Sequence, residues 1–228
     1  MNRPFPFVTL SFRALLLTLL AIDVTFILVN VLAVLAVDVS LLDHMPVWLK
    51  ITEDRQPPED FNYLKWLVIA VALLWMAIRD RWLAPVLWAL VFGMILADDA
   101  FQVHENMGGV IAGMLEIPDN TLVYGRDFGE LVVFGIIGTI TLAIALFLIT
   151  RKDLASRQLN KAYILIVIAL GFCGVGIDLL HSMIVHLTGF SGAATMLQQF
   201  FGMVEDGGEM LVGSFAVAFT LAPPENLA

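Results

Sequence analysis

Six long apolar runs, separated by short polar stretches, set the terms on which this chain can fold. They cover about 8–37, 61–78, 82–105, 128–150, 162–186 and 196–221. A bilayer core takes about 20 apolar residues per crossing helix, and each run has roughly that reach. Lipid offers no partners to free backbone N–H and C=O groups, so a crossing segment must be a helix or part of a closed barrel. The runs lack the period-two alternation of barrel strands. The expected fold is therefore all-α: one polytopic membrane domain over 1–228, a bundle of about six transmembrane helices embedded in a cell membrane.

Composition agrees, with 60% hydrophobic and 14% charged residues and a mean hydropathy of +0.89, more apolar than a soluble domain of 228 residues tolerates. A net charge of -9 and no basic stretch longer than Arg151-Lys152 exclude nucleic acid as a partner. A single cysteine, Cys173, excludes an internal disulfide and thiolate metal cages. The first run is too long for a signal-peptide core, although Val34-Leu35-Ala36 resembles a cleavage site, so it is expected to be retained.

The stretch 38–60 carries six acids and three prolines and reads as an external loop, with a short interfacial helix around 45–51. Lys and Arg near the helix ends give the orientation. With the N-terminus in the cytoplasm, Arg3, Arg13, Arg79, Arg81, Arg151, Lys152, Arg157 and Lys161 fall inside, against Lys50, Arg55, Lys65 and Arg126 outside. Both termini are thus expected in the cytoplasm.

Nine acids lie within the runs: Asp23, Asp98, Asp99, Glu105, Glu130, Asp178, Glu205, Asp206 and Glu209. The only basic residues there, Arg13 and Lys65, stand near helix ends, where a long side chain can snorkel to water. A charge at the membrane centre costs about 2.5 to 3.5 kcal/mol on insertion scales. Several unpaired carboxylates must then be protonated, hydrated or neutralised by something outside the sequence, such as a bound cation. In the expected topology Asp98 and Asp178 lie roughly 24 Å from the inner ends of their helices, and Glu205 and Glu209 fall in the outer half of the last helix. His104, Glu105, His181 and Glu130 reach similar outer levels.

Helical spacing groups these residues on common faces: Asp98, Gln102 and Glu105; Asp178, His181 and Ser182; Gly202, Glu205 and Glu209. Carboxylates and imidazoles without thiolates suit Fe, Mn or Zn, and helices bearing Glu beside acid-x-x-His pairs are a recipe for two-metal sites. Asp178-Leu-Leu-His181 supplies one such pair, and the second is missing. The expected metal ligands are Asp98, Asp99, His104, Glu105, Glu130, Asp178, His181, Glu205 and Glu209. Such a centre would oxidise or hydrolyse a lipophilic substrate.

Two other functions fit the same residues. The acids could form a proton or cation pathway, although the inner halves of the third to fifth helices carry no ionisable residue. They could also meet other membrane subunits, making the chain an accessory part of a larger complex. Blander origins exist for parts of the cluster: a solvated helix end for Asp98-Asp99 and His104-Glu105, an intramembrane hydrogen bond for Asp178 and His181, and helix glue for Asp23 and Asn30. His44 reads as solvated and His186 as interfacial. Gly207-Gly208 could loosen the last helix, and the glycines generally would bring the acid-bearing helices close.

Overall fold

A computed structural model describes residues 11–53, 55–118, 124–150, 154–188 and 193–224, which are 86% helical and contain no strand. Arg3, Arg151 and Lys152, used in the orientation argument, and the start of the first run lie outside the described residues. Five helical stretches are long and apolar enough to cross a membrane: Phe12–Asp38, Pro57–Asp80, Leu83–Phe101, Gly125–Ile149 and Arg157–Leu187. The helix Ala193–Leu221 has the length, but Glu205, Asp206 and Glu209 interrupt its apolar character. The molecule has the architecture of a helical membrane bundle.

Helix α1 (Phe12–Asp38) starts at Ser11, whose hydroxyl accepts from the Ala14 N–H at 3.3 Å. It turns Leu17, Leu28 and Leu32 outward and buries Asp23, Asn30 and Ala33 against α8 (Ala193–Leu221). The loop that follows contains a single 3-10 turn, Val47–Leu49, inside the stretch expected to hold a short helix. It folds back over one end of the bundle: the Ile51 N–H donates to Asn30 Oδ1 at 3.2 Å, and Ile51 is 4% exposed.

Helix α2 (Pro57–Asp80) opens on prolines, which suit a first turn, with Glu59 and Asp60 beside them at the positive end of the helix dipole. A short link through Arg81 and Trp82 leads to α3 (Leu83–Phe101). The core forms where α2, α3, α6 (Leu154–Gly171) and α8 meet, around Trp66, Trp88, Phe92 and Tyr163, none of which is accessible. Its polar atoms are paired: Trp88 Nε1 donates to Asn160 Oδ1 at 2.9 Å, and Tyr163 and Thr220 hydroxyls bond at 2.8 Å.

Two expected spans are irregular. The third does not continue to Glu105: Gln102 adopts a left-handed conformation (φ 50°, ψ 46°), ending α3 and starting α4 (Val103–Met114). The i, i+4, i+7 face of Asp98, Gln102 and Glu105 therefore does not exist. Asp98 closes the break, accepting from the His104 backbone N–H at 2.9 Å and meeting its Nδ1 at 3.0 Å. Helix α4 then packs on α5 (Gly125–Ile149) so closely that a Cβ on Gly129 would lie 1.9 Å from the Gly108 carbonyl oxygen. The fifth expected span is likewise divided: α6 runs into a π-helical segment, Phe172–Ile177, before α7 (Asp178–Thr188).

Lys65 does not snorkel. It is 2% exposed and bonds Asp23 Oδ1 at 2.6 Å and the Met210 carbonyl at 2.9 Å, while Ser214 Oγ donates to Asp23 Oδ2 at 2.5 Å. Asp23 thus has a counterion, supplied from the next helix, α2. This network and Asn30 tie α1 to α2, α8 and the loop.

Candidate functional site

The breaks in the two irregular spans face the same space. A cavity of about 820 Å³ lies between α2, α3, α4, α5, the π segment, α7 and α8. Helix α2 contributes Glu59, and the end of α3 contributes Asp98 and Asp99. His104 and Glu105 come from the first turn of α4, and Arg126, Asp127 and Glu130 from the first turns of α5. Asp178 and Ser182 project from α7; Glu205, Asp206 and Glu209 project from the middle of α8.

Eight of the nine expected ligands line this one space. The ninth, His181, stands behind it: its Nδ1 lies 3.2 Å from Glu205 Oε2, and its ring packs over Gly202, where an added Cβ would meet the imidazole Cε1 at 3.2 Å. Gly202 thus seats the His181 ring on the face of α8 that also carries Glu205.

Among the described residues the lining holds ten carboxylates against one arginine and one histidine. Arg126 accounts for two of the acids, bonding Glu105 at 2.8 Å and Glu130 at 2.7 Å. His104 meets Asp98 and stacks on Phe134 with centroids 4.7 Å apart. Neutral donors hold two more: Trp66 Nε1 donates to Asp99 Oδ2 at 2.9 Å, and Ser182 Oγ to Asp127 Oδ2 at 2.5 Å.

Glu209 is different. The charged groups that act on it most strongly are acids, Asp99, Asp206, Glu205 and Asp178, and among the described residues its carboxylate has no salt bridge and no hydrogen bond. Space for it comes from the π segment: a Cβ on Gly174 would lie 2.0 Å from Glu209 Oε1. The adjacent pair Gly207-Gly208 does not loosen α8, which stays helical there. Those glycines admit Ile27 of α1 and Cys173 of the π segment, whose nearest atoms would sit 3.2 and 2.7 Å from an added Cβ. The irregularity lies on the facing helix, where extra backbone curvature is a common feature of functional sites.

Among the described residues no three His, Cys, Asp or Glu side chains converge as a metal cage. The acids surround a volume in the range of small-molecule sites instead of closing on a point. Beyond Phe134 the lining carries no further charge and is mostly apolar, with Ile137 and the hydroxyl-bearing Thr141 on α5 and Val167 and Leu170 on α6.

Several lining residues were not readable as site residues. Glu59, Asn62, Tyr63 and Trp66 belong to α2, which the apolar pattern presents as an ordinary span. Arg126 and Asp127 fall just before the expected start of the fourth span, and the true start at Gly125 brings both into the site. Of the remaining histidines, His44 is exposed, whereas His186 is half-buried with its ring edge-on to Tyr124 at 4.4 Å.

No curated protein and no solved structure matches the chain. A family profile matches residues 10–222, which include every helix and every lining residue of the cavity. The chain belongs to the family described as a domain of unknown function, DUF8692.

Proposed function

We propose that this chain is a multi-pass protein of the cell membrane that binds a cation in its acid-lined cavity, with Glu209 at the centre of the site. In this reading α1, α2, α3 with α4, α5, α6 with α7, and α8 make the six crossings. Both termini are cytoplasmic, and the cavity occupies the outer half of the bilayer beneath the 38–56 loop. The observation that carries the reading is Glu209 itself: a carboxylate inside an apolar bundle, given room by Gly174 and surrounded by four other acids with no base of its own. Burying such a group uncompensated is costly, and a cation entering from outside removes the cost.

A metal ion such as Fe, Mn or Zn would be held by subsets of Asp98, Asp99, His104, Glu105, Glu130, Asp178, Glu205 and Glu209, with water or substrate completing its shell, because these side chains do not close into a cage. Conduction is less well supported than binding. At the end of the bundle away from the loop, Trp88, Phe92, Tyr163 and Phe219 pack ring against ring and are 5% exposed or less. The acids also line the chain's own interior, which favours a ligand over a partner subunit as their counterpart.

The test is to purify the protein in mild detergent, measure bound Fe, Mn and Zn by elemental mass spectrometry, and titrate Mn²⁺, Zn²⁺ and alkylammonium ions by calorimetry. Saturable binding of at least one of these, weakened at least tenfold in Glu209→Gln, is expected. A protein that carries no metal and binds none of the added cations overturns the reading.

A further inference from the structure

The cavity has two ends of opposite character, and they run in parallel along two antiparallel helices. On α5 the lining passes from Asp127 and Glu130 to Ile137 and Thr141; on α6 and α7 it passes from Asp178 back to Leu170 and Val167. From Glu130 to Thr141 is eleven residues, roughly 16 Å of α5, and the same number separates Asp178 from Val167 across the π segment. An acidic chamber thus opens into an apolar slot of some depth between α5 and α6.

The slot reaches the surface of the bundle. Gly138 on α5 and Gly171 on α6 both line the cavity, both are exposed, and a Cβ on either would meet nothing within 4 Å. A ligand could therefore enter sideways between the two helices, from the bilayer.

From these features we infer that the cavity's ligand is a lipophilic primary amine, an ammonium head on a single apolar chain, with the head among Asp99, Asp178, Glu205 and Glu209 and the chain in the α5–α6 slot. The inference rests on the cation-binding reading and narrows it. A bare metal ion leaves the slot unused. A quaternary head has no N–H to give the carboxylates. A phosphate-bearing headgroup is repelled by a lining with ten acids and one arginine. A primary ammonium supplies three donors and a positive charge, and its chain gains from every CH₂ placed in the slot.

The test uses the full chain in detergent and native mass spectrometry, with four probes: dodecylammonium, ethylammonium, dodecanol and Mn²⁺. One equivalent of dodecylammonium is expected, bound at least tenfold more tightly than ethylammonium, with no comparable binding of dodecanol. Gly138→Leu and Gly171→Leu, made separately, should fill the slot and weaken dodecylammonium at least tenfold while leaving ethylammonium or Mn²⁺ binding unchanged; that retained binding also shows that the variants fold. If Mn²⁺ or ethylammonium binds and dodecylammonium binds no better, the lipophilic amine is overturned and the cation site stands. Equal binding of dodecanol, or undiminished dodecylammonium in both slot variants, overturns it as well. If no cation binds, both readings fall.

Discussion

Two groups of acids inside this bundle solve the same electrostatic problem in opposite ways. Asp23 is wholly inaccessible, and its two oxygens are taken by Lys65 and Ser214 at 2.6 and 2.5 Å. Five residues before Ser214 on α8, Glu209 faces a cavity in which its charged neighbours are Asp99, Asp178, Glu205 and Asp206. The first arrangement is closed: every strong donor and acceptor has its partner, so nothing further can bind. The second is open, because its charge balance is incomplete until something enters. Lys65 accepts no ligand role because its charge is taken up by Asp23 and the Met210 carbonyl. The difference separates acids that hold helices together from acids that, in the proposed reading, hold a guest.

The sharpest way to break that comparison is to open the closed pair. Lys65→Ala should leave Asp23 buried without a counterion and lower the stability of the detergent-solubilised protein by about 3 to 5 kcal/mol, read from thermal unfolding. Replacing both partners, Asp23→Leu with Lys65→Met, should recover most of that loss, because an apolar pair of similar volume carries no desolvation cost. If Lys65→Ala melts like the parent, the pair does not hold the bundle and the contrast with Glu209 collapses.

A smaller effect tests the open site. Gly174→Ala places a methyl where Glu209 Oε1 now sits, 2.0 Å away. The carboxylate lies at the end of a flexible side chain and can swing aside, so the expected loss of stability is about 1 to 2 kcal/mol. In the background of Glu209→Ala the same substitution should cost almost nothing, since the atom it collides with is gone. A cost that persists in the double variant would show that Gly174 serves the π segment itself and not the carboxylate.

The sequence made the helices and the convergence of acids readable because both follow from simple regularities. Apolar runs of membrane length force helices, and acids at matching levels of neighbouring spans must share an interior. What stayed hidden depends on contacts between distant residues or on local geometry with no compositional sign. Lys65 looks like a helix-end lysine until Asp23 is placed beside it, 42 residues earlier in the chain. Arg126 reads as a loop residue because α5 begins at Gly125, three residues before the apolar run does. The π segment was marked only by Gly171, Gly174 and Gly176, which are equally at home at any close helix contact. The break after α3 left no mark, since neither glycine nor proline stands at Gln102 and the helical spacing of polar residues continues through it.

That break gives the smallest and most discriminating of the effects. A left-handed conformation costs a residue with a Cβ about 1 kcal/mol relative to glycine, and glycine is the usual residue where a helix ends this way. Gln102→Gly should therefore raise stability by about 0.5 to 1 kcal/mol, provided the backbone conformation is all that the position requires. The side chain, however, accepts from Arg55 Nη2 at 3.5 Å, and Arg55 belongs to the loop that covers the acidic end of the cavity. A variant that gains stability and keeps its affinity for cations would place the break among the fixed parts of the fold, like the Asp23–Lys65 pair. A variant that gains stability but releases its cation faster would place it with the open site. In that case the strained residue would be kept because its side chain holds the loop over the proposed guest, with the strain offset only when the cavity is filled.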